Sequence, residues 1–299
     1  MTTMPAILTR AELSRDERER ARRLAAECNA HDGLDLKVAI DFTRGHSAHE
    51  HNAFLCYRAD VLAGYCALDA SGGDEIELCG MVAPAHRRAG MGRALFGAAR
   101  AECQRRGMRR LLLICEDASA AGRAFTATTG AAHDFSEYRM AMARPRAPRR
   151  PLADLTVARG GLADAAAIAH ITAQAFGDYE EFVLARTAQD LPDPNQRFYV
   201  GRLGGAPVAS LKVYPYERDG AGIYAFGVLP EYRGRGIGRQ LLTEVCQQLR
   251  TEGRTRIALE VETTNATAHR LYLACGFVER TTYGYYALDL TPAEASSGE

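Results

Sequence analysis

Val228-Leu-Pro-Glu-Tyr-Arg-Gly-Arg-Gly-Ile-Gly-Arg239 packs three glycines and three arginines into seven residues behind a Val-x-Pro. The stretch Val82-Ala-Pro-Ala-His-Arg-Arg-Ala-Gly-Met-Gly-Arg93 has the same outline, 146 residues earlier (228 − 82 = 146). The offset holds beyond both stretches. Met91, Leu95, Phe96, Ala99 and Cys103 map onto Ile237, Leu241, Leu242, Val245 and Leu249, and Gly130 maps onto Gly276. These apolar positions recur at the period of one helix face. One offset kept over this distance marks an internal repeat, so the chain reads as one domain of about 145 residues written twice.

The boundaries follow. Ala143-Arg-Pro-Arg-Ala-Pro-Arg-Arg-Pro151 has three prolines, four arginines and no core residue. Proline favours extended chain and removes donors, so this segment reads as a linker. The expected division is 1–143 for the first copy, 144–151 for a solvated connector whose charge could also meet a phosphate, and 152–299 for the second copy.

Composition narrows the function. Of 299 residues, 47% are hydrophobic and 25% charged, as in folded globular proteins. Lys plus Arg and Asp plus Glu are equal at 37 each, which argues against coating nucleic acid by bulk charge. No apolar run reaches the roughly 18 residues of a membrane span. The first twenty residues carry no apolar secretory core, so a cytoplasmic protein is expected. Only Lys37 and Lys212 are lysines; that bias reads as codon usage in a GC-rich genome. Cys28, Cys56, Cys66, Cys79, Cys103, Cys115, Cys246 and Cys275 are scattered without a CxxC pair, which favours free buried thiols.

The second copy predicts alternating elements: a strand at 155–159, a helix at 162–176, a further helix near 179–188 and strands at 198–202, 208–214 and 223–229. A helix at 237–250 and a strand at 256–261 follow. Thr264 or Asn265 caps the next helix, which stops at Gly276, and 277–290 reads as two closing strands. The first copy is expected to follow the same order. The fold class is therefore α/β.

The turn Arg233-x-x-Gly236-x-Gly238 sits between a strand and an amphipathic helix. Unpaired N–H groups at such a helix start, aided by the dipole, suit a pyrophosphate, and glycines let phosphate approach the backbone. The GxGxxG order of dinucleotide folds is absent, and no Gly-Lys-Ser/Thr follows.

Val228 to Arg239, with Asn265-Ala-Thr-Ala-His-Arg-Leu-Tyr-Leu-Ala-Cys-Gly-Phe277, resembles the acetyl-CoA signature of the GCN5-related N-acetyltransferases, the GNAT family. The resemblance spans nearly all of the second copy and, more loosely, the first. It implies two tandem domains, each a mixed, mostly antiparallel sheet of six to seven strands flanked by about four helices. It further implies acetyl-CoA as cosubstrate, held between the fourth and fifth strands. The backbone of Phe226, Gly227 and Val228 would pair with pantetheine, and the Val228 N–H would polarise the thioester carbonyl. Arg233, Gly234, Arg235, Gly236, Ile237, Gly238 and Arg239 would hold the pyrophosphate, and Asn265 would touch the pantetheine. In the first copy, Val82, Arg87, Arg88, Gly90 and Gly92 are the weaker counterparts.

Acyl transfer to an amine requires a base for the amine proton, donors for the oxyanion and an acid for the departing thiolate. Leu259-Glu260-Val261, Asn265 and Leu271-Tyr272 resemble the pattern of bacterial N-terminal acetyltransferases of ribosomal proteins. That likeness implies Glu260 as base, directly or through water, and Tyr272 as acid. At the same offset, Glu260 meets Ile114, Asn265 meets Ser119, Tyr272 meets Thr126 and Phe277 meets Ala131. Isoleucine and threonine replace neither a carboxylate nor a phenol, so the second copy is expected to be catalytic. Glu75 and Glu77 remain an alternative base in the first.

Tyr179, Glu180 and Glu181 fall where the family varies its substrate lip, and with Tyr214 they would suit a cationic amine. Tyr216, Tyr283, Tyr285 and Tyr286 are further candidates for that pocket or for core. His46, His49 and His51 with Glu50 read as a polar loop rather than a metal site, since no second cluster completes the ligands. The expected reaction is acetyl transfer to a primary amine of a small molecule, by direct attack and without metal, nucleic acid or membrane. The tandem arrangement with an active second half is similar to that of the mycothiol synthases. A protein N-terminal or lysine acetyltransferase and a non-catalytic acetyl-CoA sensor are the other readings.

Overall fold

The computed structural model describes residues 6–40, 49–72, 74–148, 150–216 and 218–290. Two compact units emerge. Unit 1 comprises Met1–Glu137 with Thr281–Glu299, and unit 2 comprises Tyr138–Arg280.

Unit 1 orders its strands β1 (Ile7–Arg10), β2 (Ala53–Arg58), β3 (Val61–Gly72), β4 (Glu75–Val82), β5 (Arg110–Glu116) and the later part of β12 (Phe277–Asp289). All neighbours are antiparallel except β4 and β5. Its helices are α1 (Arg15–Asp32), α2 (Met91–Arg105) and α3 (Ala120–Thr126). A capping box starts α1: Ser14 accepts from the Glu17 N–H, and the Glu17 carboxylate accepts from the Ser14 N–H. One face of the sheet packs Leu55, Tyr65, Cys79 and Met81 under α1; the other packs Leu68, Leu78, Leu111 and Leu113 under Met91 and Leu95 of α2.

Unit 2 repeats the plan with β7 (Leu155–Arg159), β8 (Arg197–Leu203), β9 (Ala206–Tyr216), β10 (Gly220–Val228), β11 (Arg256–Glu262) and the later part of β6 (Ala132–Met142). Its helices are α4 (Ala165–Phe176), α5 (Glu180–Asp190), α6 (Ile237–Thr251) and α7 (Ala266–Cys275). The α6 stripe of Ile237, Leu241, Leu242, Val245 and Leu249 is buried on Leu211, Val213, Ile223, Ile257 and Leu259. Each such side chain, fully buried, stabilises by about 1.5–3 kcal/mol relative to exposure.

Three expectations are corrected. Residues 277–289 form one strand, not two, and its later part pairs with β5: Tyr283 stands opposite Glu116, Tyr285 opposite Ile114 and Tyr286 opposite Leu113. Hence 281–299 belong to unit 1, and the units are not the sequential halves 1–143 and 152–299. The Pro/Arg segment is no connector between units: it lies within unit 2, where the Ala143 and Arg144 N–H groups donate to Gly276 O and that of Arg146 to Cys275 O. Unit 1 has three helices among its described residues, because Leu34–Ile40 runs without helix where unit 2 has α5.

Candidate active site

In unit 2, β10 and β11 pair in parallel from Gly220↔Arg256 to Ile223↔Leu259 and then stop. Against β9 the register of β10 shifts between Tyr224 and Gly227, and Ala225 takes φ 47°. The shift is a β-bulge, which re-aims backbone next to a site. Beyond Ile223 the β11-facing edge of β10 therefore carries Tyr224–Val228 with no strand partner among the described residues. Gly227 is required here, since a Cβ would lie 2.7 Å from Ala175 Cβ of α4.

The chain then turns into α6. Gly234 and Gly236 adopt φ 76° and 86°, and Gly236 caps the helix without a side chain. The first-turn N–H groups of Ile237, Gly238 and Arg239 are left open to an anion. Gly238 sits 3.2 Å, by its absent Cβ, from Phe226 and Val228, which brings the helix start onto the bulge. Arg233 Nε donates to Val228 O at 3.0 Å, while its side chain is exposed. Arg239 Nε is buried without a partner. An open helix start, a bulged strand edge and an orphaned buried donor fit the phosphates and the amide-bearing arm of acetyl-CoA.

Two faces meet at this gap. Leu259 and Tyr272 belong to the core beneath α6, whereas Glu260 faces the other way. Glu260 is half-buried, and Arg139 Nη1 of β6 stands 3.5 Å from its Oε1. Tyr272 is 7% exposed, with ring centroids 6.2 Å from Phe226 and 6.1 Å from Phe277. Burial, and secondarily Cys275, raise its phenol above the ordinary value, so it stays protonated. Its hydroxyl has no hydrogen bond to protein among the described residues. Asn265 caps α7 by accepting from the Ala268 N–H at 3.0 Å, which leaves its amide N–H₂ for another acceptor.

The other candidates disperse. Tyr179 is 89% exposed at the start of α5, Glu181 is exposed in the first turn, and Glu180 lies 2.9 Å from His170 Nδ1. Tyr214 stands on β9 opposite Gly222, two residues beyond Lys212. Tyr283 and Tyr285 are buried in unit 1, the core alternative of their two readings. His46 lies outside the described residues; the His51 N–H donates to Glu102, and Glu50 stands 3.7 Å from Arg106.

Sequence reading missed Arg139, Lys212 and Tyr224. Lys212 is half-buried, opposite Tyr224 at the bulge, with Asp190 at 3.3 Å. The other lysine, Lys37, is also half-buried, donating to Tyr285 Oη at 2.7 Å with Glu77 at 3.5 Å. Their scarcity, two lysines among 37 cations, was the available signal.

In unit 1 the turn persists but its surroundings differ. Arg88 and Gly90 hold φ 63° and 80°, and Arg87 Nε reaches Val82 O at 3.0 Å, as Arg233 reaches Val228. Yet Arg87 is bidentate to Asp32, at 3.1 and 2.6 Å, and that bond holds the Asp32 carboxyl down to about 2. β4 pairs with β3 without a break from Glu77 to Val82, so no bulge forms at the counterpart of Tyr224–Gly227.

The sequence model of the "Acetyltransferase (GNAT) family" matches residues 15–130 and again 165–277. The chain belongs to this family. It is 31% identical to a mycothiol acetyltransferase of Thermomonospora curvata, over 89% of this chain and 90% of that one. A GCN5-related N-acetyltransferase from Sphaerobacter thermophilus shares the fold with TM-score 0.77 at 21% identity, covering 97% of this chain and 98% of that one. A tandem GNAT protein from the clavulanic acid biosynthesis pathway does so with TM-score 0.71 at 17% identity, covering 97% and 99%. The protein is thus a tandem GNAT-fold acetyltransferase with acetyl-CoA as cosubstrate.

Proposed function

We propose that unit 2 transfers the acetyl group to a primary amine of a small molecule by direct attack. The observation that carries this is Glu260 and Tyr272 on opposite faces of the gap where β10 and β11 part. Acetyl-CoA supplies the acetyl group and a thiolate leaving group. Glu260, directly or through water, takes the amine proton. The Val228 N–H stabilises charge developing on the thioester oxygen, and Tyr272 gives its phenolic proton to the departing sulfur. Arg233 to Arg239 hold the pyrophosphate, and Asn265 orients the pantetheine. Arg139, 3.5 Å from Glu260 Oε1, orients that carboxylate. Tyr179, Glu180 and Glu181 at the start of α5 and Tyr214 on β9 would meet the acceptor from separate elements.

An acetyl-enzyme is disfavoured. Burial raises the Cys275 thiol, although the Thr243 hydroxyl and Arg239 oppose the rise. A thiol held protonated is a poor nucleophile. The eight cysteines are free and buried, which suits a reducing cytoplasm.

Similarity to the mycothiol acetyltransferase of Thermomonospora curvata supports a more specific reading, a mycothiol-type acceptor. The test is CoA release across a panel of amines, aminothiols and peptides, with mass spectrometry of the product. Small amines should turn over and peptides should not. Tyr272→Phe should lose at least about tenfold of the rate, while Thr126→Ala changes it little; equal losses would refute the assignment to unit 2.

A further inference from the structure

The Pro/Arg segment is left over from the function, and its place in unit 2 gives it one. Its backbone is fastened across the first turns of α6 and the end of α7. Besides the bonds to Cys275 and Gly276, Thr243 Oγ1 donates to Arg146 O at 3.3 Å, Gln240 Oε1 accepts from the Leu152 N–H at 2.8 Å, and Arg239 Nη2 donates to Ala147 O at 3.4 Å. Gly276, at φ 100°, permits the close passage, since a Cβ there would collide with the Arg144 carbonyl. The last of those bonds matters most: it ties the segment directly to the side chain of Arg239, in the pyrophosphate turn.

All the fastening is through the segment's backbone, which leaves its side chains available. Arg144, Arg146 and Arg150 are exposed, and no hydrogen bond or ion pair engages their guanidinium groups among the described residues. Arg233, Arg235 and Arg239 likewise have no carboxylate partner there. The backbone of Arg144 and Arg146 is thus held at the end of α7, and that of Arg146 and Ala147 at α6, the helix whose start carries Arg233, Arg235 and Arg239, in a chain whose charges otherwise balance, 37 against 37. Like charges held together cost free energy unless an anion joins them. The counterpart of the segment at the 146 offset, 289–297, reads Asp-Leu-Thr-Pro-Ala-Glu-Ala-Ser-Ser and has no cation. The basic strap thus accompanies only the site that also holds Glu260 and Tyr272.

We infer that this strap is the 3′-phosphate subsite of unit 2, with Arg144 and Arg146 as its ligands. The inference rests on the reading that Arg233 to Arg239 hold the pyrophosphate. A phosphate monoester carries a charge of roughly −1.5 to −2 and three acceptor oxygens, which match the planar fork of a guanidinium. The strap then distinguishes CoA from a nucleotide thiol that lacks this group.

The experiment is calorimetric binding of CoA and dephospho-CoA to the full chain, to the double variant Arg144→Gln/Arg146→Gln and to Arg233→Gln. The strap is anchored by main-chain groups, so the double variant keeps its path. The native protein should prefer CoA by about tenfold, the worth of a charge-assisted bond or two. The double variant should bind CoA only as well as dephospho-CoA, with dephospho-CoA binding unchanged. A double variant that keeps the native preference, or one that weakens both ligands equally, overturns the strap's role. Arg233→Gln reports separately on the underlying reading: it should weaken both ligands alike, and binding of both unaltered would overturn the pyrophosphate site itself.

Discussion

The two units share a turn and differ in nearly everything around it. Both place a left-handed residue two positions before the capping glycine: Arg88 at φ 63° in unit 1 and Gly234 at φ 76° in unit 2. Both tie the preceding arginine to the strand end. In unit 2 that arginine has no carboxylate partner among the described residues, the strand bulges, and Glu260 faces Arg139. In unit 1 Asp32 takes the arginine, the strand is regular, and Ile114 faces Tyr285. Moreover, Leu34–Ile40 packs with Tyr65 and Met81 in unit 1, where unit 2 has α5. The Asp35 N–H donates to Glu116 Oε2, Tyr283 Oη donates to Asp35 O, and Tyr65 Oη donates to Ala39 O at 2.7 Å. The lesson is that a phosphate-type turn is a backbone property that survives changes in chemistry, whereas the proposed reactive gap of unit 2 adds a bulge and a carboxylate that unit 1 lacks at the matching positions.

That contrast can be broken at several points. Glu260→Gln removes the base from unit 2 and should lower kcat by about a hundredfold or more, read as thiol release. The matching change in unit 1, Glu77→Gln, should alter it less than twofold; a comparable fall would move the chemistry to unit 1.

The next effect concerns stability. Glu102 is 6% exposed and accepts from Arg105, Arg106 and the His51 N–H. Burial alone would raise its carboxyl; those partners outweigh it and hold it at about 2. Its counterpart in unit 2 is the exposed Gln248. A folded-state value below the unfolded one contributes stability above about pH 4.5, which is lost as the pH falls toward 2. Asp32 acts in the same direction, over the narrower window between about pH 3.8 and 2. Peptide-resolved hydrogen exchange between pH 7 and 3 should therefore show unit 1 losing protection first. Glu102→Gln should cost about 3 kcal/mol at neutral pH, because Arg106 is left buried with a partner missing, measured by urea unfolding.

Arg139→Met should lower kcat by about threefold, because the Glu260 carboxylate loses the guanidinium that stands 3.5 Å from it and positions it; an unchanged kcat would make Arg139 a bystander. Smallest of all, Asp32→Asn should cost under about 1 kcal/mol, as partly exposed pairs do, in the same urea measurement.

Much of this was legible in the sequence. The 146 offset gave the repeat because apolar periodicity and glycine placement are local properties of the chain. Asn265 as a cap and Gly276 as a stop are of the same kind. The destination of the last strand was not legible. The alternation in 277–289 states that a strand exists, but both copies offer β12 an equivalent neighbour, and the choice of β5 is made by packing. Arg139 was missed for a related reason: it meets Glu260 across 121 positions of sequence. Lys212 was visible as a count and was read as codon usage; its place opposite Tyr224 and beside Asp190 is set by strand register.

The assignment of 281–299 to unit 1 has a consequence for how the protein is made. A ribosome finishes the residues of β1 to β5 early, yet the strand that lies against β5 is synthesised only after unit 2. During translation the open edge of β5 must wait while nearly all of unit 2 emerges. A stop codon placed after Arg280 would spare every residue of unit 2 and still leave the first-made unit unfinished.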